Sequence, residues 1–148
     1  MPDTPTAIRI LMVEDNEGDV LLTTEAFKAA KVANNISVAR DGVEAMDFLH
    51  RRGPFASAPR PDLILLDLNL PRRDGRQVLA DVKADPSLRS IPVVILTSSK
   101  AEEDVVKAYD LAANCYITKP VDFASLMRVV NAIESFWLTV VSLPPHAP

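Results

Sequence analysis

Apolar runs of strand length alternate along this chain with segments in which apolar residues recur at helical spacing. The runs Ile8 to Val13, Ile36 to Ala39, Asp62 to Asp67, Ile91 to Leu96 and Asn114 to Thr118 read as strands. The first helical segment covers Gly18 to Lys31, with Asn16 as its cap and Val20, Leu21, Phe27 and Ala30 on its apolar face. Asn34-Asn35 breaks it. Asp41, with Glu44 three residues on, has capping-box spacing and opens a helix carrying Val43, Met46 and Leu49 on one stripe. Arg51 to Pro61, with Gly53, Pro54, Pro59 and Pro61, reads as a loop. Asp74 with Gln77 opens a helix to about Asp85, and Ser99 with Glu102 opens another through about Ala113. Asp122 caps a last helix that runs past Phe136-Trp137.

Strict strand–helix alternation predicts right-handed crossovers and a parallel sheet covered on both faces, an α/β three-layer sandwich. The first, third and fourth runs are the most continuously apolar, as central strands buried on both faces must be. The second (Ile-Ser-Val-Ala) and fifth (Cys-Tyr-Ile-Thr) are mixed, as edges are. The expectation is a five-stranded flavodoxin-like sheet in the order 2-1-3-4-5, with a ligand crevice beyond the carboxyl ends of the first and third strands.

Polar residues stand where these apolar runs stop: Glu14-Asp15, Asp67, Thr97-Ser98 and Lys119-Pro120. Parallel strands bring those ends to one side, so three carboxylates, a hydroxyl and an ammonium gather in the crevice. Like charges about 4 Å apart repel by roughly 4 kcal/mol at an effective dielectric near 20, so the set calls for cations. Lys119 supplies one charge. Mg²⁺ supplies two and prefers oxygen ligands, with water completing its shell. Asp15 and Asp67 are the natural direct ligands, Glu14 acts through water, and the loop after Asp67 can add the main-chain carbonyl of Asn69. An ionised aspartate can take up a phosphoryl group as a mixed anhydride. Asp67 ends the central strand and is the best nucleophile. Mg²⁺, Lys119 and the Thr97 hydroxyl can each hold one of the three equatorial oxygens on which charge develops.

Composition narrows the field. Net charge is −4 with no long basic run, which argues against a nucleic-acid or anionic-membrane surface. A single cysteine, Cys115, excludes an internal disulfide. No signal peptide is read at Met1-Pro2-Asp3-Thr4-Pro5, and apolar runs of about six residues fall far below the ~20 that span a bilayer. The expectation is a cytoplasmic, single-domain protein. Other chemistries on this fold fit poorly. Glu14-Asp15-Asn16 is anionic where a flavin-phosphate loop is needed, and Asn69 stands where a dehalogenase-type phosphatase needs a second aspartate. His50 and His146 form no Ser-His-Asp set.

Val13-Glu14-Asp15-Asn16, Asp67-Leu68-Asn69-Leu70-Pro71 through Asp74-Gly75, Thr97-Ser98 and Lys119-Pro120 together resemble the receiver domains of two-component response regulators. The resemblance covers about Ile8 to Trp137. It implies that Asp67 is the phosphoacceptor, and that Glu14, Asp15 and the Asn69 carbonyl organise Mg²⁺ with it. Thr97 and Lys119 would contact the phosphoryl group, and Lys119-Pro120 would be cis. Tyr116 matches the switch aromatic that follows Thr97. Such domains are phosphoacceptors that assist their own phosphotransfer and dephosphorylation, not enzymes acting on a separate substrate. Ala58-Pro59-Arg60-Pro61 before Asp62, the stretch Asn114 to Pro120 and the ending Phe136-Trp137-Leu138 are similar to small regulators paired with phytochrome histidine kinases, which implies a bacterial phytochrome as phosphodonor.

Residues 8–137 are thus expected to form the receiver domain, and 138–148 a tail or dimerisation arm. Phe136, Trp137, Leu138, Val140 and Val141 exceed one helix face; they either pack on the parent domain or contact a second copy in a homodimer. Output would run through a partner-binding face switched by phosphorylation. The alternatives are a phosphate shuttle or sink feeding a downstream phosphotransfer protein, and a binding module independent of phosphorylation.

Overall fold

A computed structural model describes residues 7–30, 33–68, 75–97, 115–118 and 123–142, with the backbone alone at 97, 115–118, 125 and 136–142. Strands β1 (Ile8–Val13), β2 (Asn34–Ala39), β3 (Leu63–Asp67), β4 (Val93–Thr97) and β5 (Cys115–Thr118) form one parallel sheet in the order β2-β1-β3-β4-β5. Helices α1 (Glu17–Lys28), α2 (Gly42–Leu49) and α3 (Gly75–Ala84) and a C-terminal helix (Phe123–Ser142) cover it.

Alternate residues of each strand face opposite layers, so the core divides in two. Leu11, Val13, Ile64, Leu66, Val93 and Ile95 pack with α2 and α3 residues Met46, Phe48, Val78, Leu79 and Val82. Ile10, Met12, Leu63, Leu65, Val94 and Leu96 pack on the other face with Ala26 and Phe27 of α1 and Leu126 and Val130 of the C-terminal helix. All five residues of β3 are buried, as a central strand covered on both faces requires.

Three details correct the sequence expectations. Strand β2 begins at Asn34, because Asn34 and Asn35 pair in register with Ile8 and Arg9 and the Asn34 side chain donates to the Phe27 carbonyl, closing the end of α1. Leu21 is 63% exposed and does not belong to the apolar face of α1. At about 100° per residue it falls nearly opposite the buried Thr23, Ala26 and Phe27. On α2 the buried stripe is Ala45, Met46, Phe48 and Leu49, with Val43 only half-buried. The expected caps Asn16 and Asp41 are in place: Asn16 Oδ1 accepts from Asp19 N–H at 2.9 Å and Asp41 Oδ1 from Glu44 N–H at 2.8 Å. The helix expected over Ser99 to Ala113 lies outside the described residues. The C-terminal helix runs unbroken from Phe123 to Ser142, across the expected division at 137. Among the described residues no helix is long and apolar enough to cross a membrane.

The loop after α2 is held rather than loose. Arg51 and Gly53 both take left-handed backbone angles, Phe55 packs its ring 5.6 Å from that of Phe48, and Arg60 donates to the Ser87 carbonyl and to Ser90 Oγ. After α3, Asp85 accepts from Ser87 Oγ at 2.7 Å and from Ser87 N–H at 2.8 Å, with His50 Nε2 3.8 Å away. The Ser87 hydroxyl and then the Ser87 amide hold the Asp85 carboxyl below its usual range against a smaller opposing effect of burial, and the charge of His50 adds least. A folded-state pKa below the unfolded value near 3.9 adds stability that is present above that value and lost as pH falls through the folded one. Ser87→Ala is therefore expected to lower the melting temperature at pH 6, with the deficit shrinking below about pH 3. Thermal melts of both proteins across that range check it, and a deficit that does not depend on pH would contradict it.

Candidate functional site

Glu14 directly follows Val13, the last residue of β1, and its N–H donates to the Ala39 carbonyl at 2.9 Å, so the pairing with β2 extends one residue past the strand. Asp67 is the last residue of β3, in register with Leu96, and the next amide, Leu68 N–H, donates to the Leu96 carbonyl at 3.1 Å. Val13 and Leu66 are partners across β1 and β3, so Glu14 and Asp67 leave the sheet side by side. Glu14 and Asp67 are 0% and 1% exposed, while Asp15 is exposed. Each of the three offers a carboxylate oxygen within 4.8 Å of the others.

The start of α1 frames this cluster. Glu14 Oε1 accepts from Asn16 N–H at 3.1 Å, and Asn16 in turn caps α1. A single residue thus ties the orientation of a buried carboxylate to a helix start. Glu17 and Asp19 occupy the first turn of α1, and Glu17 pairs with Arg40 at the end of β2. The sequence pattern did not disclose this Arg40–Glu17 link, which joins two elements 23 residues apart.

Three carboxylates this close, two of them buried, form an oxygen donor set of the kind a hard divalent cation takes. The residues fit such an ion. The cluster opens to solvent on the Asp15 side, where water can complete the shell.

The far side of the crevice is described only by its backbone. Thr97 ends β4 in register with Thr118, the residue before Lys119. Tyr116 lies in β5, in register with Ile95. Asn69, Lys119 and Pro120 lie outside the described residues, as do the side chains of Thr97 and Tyr116. Phe136, Trp137, Leu138, Val140 and Val141 all lie on the C-terminal helix, again with side chains outside the described set.

One residue at the site carries a role the sequence reading gave only to a loop. Gly75 begins α3, and its N–H donates to the Leu68 carbonyl at 3.2 Å. The first turn of α3 is thereby seated on the backbone that follows the acidic residue of β3. The Asp74-Gly75 pair signals a turn in sequence, but not what the glycine touches.

The response regulator receiver domain family matches residues 10–131. The chain belongs to that family. It is 49% identical over 135 residues to the response regulator Rcp1 of Synechocystis sp., covering 91% of this chain and 92% of Rcp1. The solved Mn²⁺-bound form of Rcp1 superposes with a TM-score of 0.78 at 48% identity, over 93% of this chain and 99% of that one. The phosphorylated cyanobacterial phytochrome response regulator RcpA gives a TM-score of 0.80 at 48% identity, over 95% of this chain and all (100%) of its own. The bacteriophytochrome response regulator AtBRR gives 0.78 at 42%, over 96% and 100%. The chain is therefore a receiver domain homologous, over nearly their whole length, to response regulators named for phytochromes. Its acidic cluster belongs to a family in which Rcp1 has been solved with a divalent metal bound.

Proposed function

We propose that this receiver domain accepts a phosphoryl group on Asp67 from a phosphohistidine of a sensor kinase, and that the kinase is of the phytochrome type. The observation that carries the reading is the set of Glu14, Asp15 and Asp67 oxygens gathered within 4.8 Å at the carboxyl ends of β1 and β3. An Asp67 oxygen attacks phosphorus as the P–N bond of the phosphohistidine breaks. The imidazole leaves and takes up a proton, and Asp67 holds the phosphoryl group as a mixed anhydride. Glu14, Asp15, Asp67 and the Asn69 carbonyl would hold Mg²⁺. Bound there, the ion supplies positive charge to an equatorial phosphoryl oxygen. Thr97 and Lys119 hold the other two oxygens. Thr97 moves toward the phosphate and Tyr116 follows, which changes the partner-binding face.

The phytochrome assignment is supported by the names and the coverage of the relatives RcpA and AtBRR. A time course of phosphotransfer from a panel of autophosphorylated kinases tests it, run as a competition with Mg²⁺ present and with it chelated. The expected result is fastest transfer from a bacterial phytochrome and none without the metal. A faster donor outside that class would overturn the partner, and uptake independent of metal would overturn the site. In the same reading Phe136, Trp137, Leu138, Val140 and Val141 hold a second copy of the chain. Trp137→Ala is expected to sediment as a monomer at concentrations where the parent is a dimer.

A further inference from the structure

We propose that Gly75 is a positioning residue of the phosphoacceptor site: having no side chain, it lets the first turn of α3 rest directly on the backbone of Asp67 and Leu68, and that contact sets where the Asp67 carboxylate stands. The proposal rests on the reading that the Glu14, Asp15 and Asp67 cluster holds a divalent cation.

A Cβ at position 75 would lie 2.3 Å from the Asp67 carbonyl oxygen, 2.6 Å from Leu68 Cα and 3.1 Å from the Asp67 carbonyl carbon. All three are backbone atoms, so no side chain can swing aside. Nor is that backbone loose. Asp67 pairs with Leu96, Leu68 N–H donates to the Leu96 carbonyl, and Leu68 is buried in the core beside Val78 and Leu79. Two ways of relief remain. The end of β3 can shift against β1, which moves Asp67 relative to Glu14 and Asp15. Alternatively α3 can back away, which breaks the Gly75–Leu68 hydrogen bond and opens the contacts of Val78, Leu79 and Val82.

Gly53 and Gly18 stand in different surroundings. Gly53 sits at φ +55° with open space around it, so conformation alone selects glycine there. A Cβ at Gly18 would meet only the Asn16 side chain, at 3.2 Å. Gly75 has no left-handed backbone angle, so alanine could adopt its conformation, and helix propensity favours alanine over glycine. Close approach to β3 is what excludes it. Metal ligands must keep their distances to within about 0.2 Å, so a backbone shift too small to unfold the domain is enough to spoil the cluster.

The test compares the full chain with Gly75→Ala, Gly53→Ala and Val78→Ala, using Mn²⁺ as the probe and thermal melts to record stability. Val78 is buried on the same helix in the core beneath α2 and α3, and its truncation reports the loss of that packing. Gly75→Ala is expected to weaken Mn²⁺ binding by about tenfold or more, the range seen when a ligand's support is lost. Val78→Ala is expected to lose melting temperature but keep the parental Mn²⁺ affinity. Carboxyl carbon shifts of Asp67 and Glu14, read without metal, separate the two claims. If those shifts move in Gly75→Ala while the parent takes up no Mn²⁺, the metal reading falls and the positioning role stands. Unmoved shifts, or Mn²⁺ affinity equal to the parent's, overturn the positioning role. Should Gly75→Ala not fold, amide exchange on the parent decides: Mg²⁺ should protect Leu68 and Gly75 more than Leu88 and Ile91, and equal protection overturns the proposal.

Discussion

Asp67→Asn is expected to abolish phosphoryl uptake and, at the same time, to raise the melting temperature of the metal-free protein. Asparagine has nearly the shape of aspartate, so packing at this buried position is kept while one of three clustered charges is removed. At a separation of about 4.8 Å and an effective dielectric near 20, two carboxylates repel by roughly 3.5 kcal/mol. The pair Glu14 and Asp67 feels most of this because both are buried, whereas the exposed Asp15 is screened. Part of the relief is offset by hydrogen bonds that suit a carboxylate better than an amide. A net gain of about 1–3 kcal/mol is expected, a rise of roughly 2–10 °C for a domain of this size. Metal reverses the ranking. A ligand at a hundred times its dissociation constant stabilises the folded state by about 2.7 kcal/mol, and the asparagine variant should forfeit most of that gain. Melts with and without Mg²⁺, beside a phosphoryl-uptake assay with acetyl phosphate, check all three statements. Undiminished uptake would remove Asp67 from the chemistry. A lower metal-free melting temperature would mean that the carboxylate is held by hydrogen bonds worth more than the repulsion.

The acidic cluster was legible where an apolar run meets its first polar residue. Val13 to Glu14 and Leu66 to Asp67 mark the points at which the apolar core gives way to the acidic cluster at the strand ends, and the change from apolar to charged side chains is visible in the sequence although Glu14 and Asp67 are themselves buried. Asn34 and Asn35 signal a break in the sequence yet belong to β2. On an edge strand the polar positions need not be buried, and pairing with Ile8 and Arg9 outweighs their low strand propensity. Leu21 is as apolar as a core residue, but its angle around α1 turns it to solvent. The contact of Gly75 with the Asp67 backbone and the Arg40–Glu17 pair are tertiary facts. Each joins residues whose local sequence carries only a turn signal or a surface charge, so no window along the chain could reveal them.

Leu11→Ala is expected to cost about 2–5 kcal/mol of stability, against a total of roughly 5–15 kcal/mol for a domain of this kind. Leu11 is 0% exposed in β1 and packs with Val13, Ile64, Leu66, Val78, Leu79 and Ile95 beneath α2 and α3. The cavity left by truncation cannot close easily. The backbone of β1 is hydrogen-bonded to β2 on one side and β3 on the other, so the strand cannot sink toward the helices. That places the cost in the upper half of the range and the fall in melting temperature at about 7–20 °C. Leu21→Ala removes the same atoms from a position 63% exposed, where a change within about 0.5 kcal/mol is expected. Urea titrations of the two variants give the comparison directly, provided the denaturant slope stays at the parental value, which shows that the unfolded reference has not changed. Equal losses at Leu11 and Leu21 would mean that α1 buries the face its hydrophobicity suggested. A loss confined to Leu11 ties the stability of the domain to the α2–α3 layer. That layer also carries Gly75, so the helix seated on Asp67 is anchored by the same core that holds β1 in place.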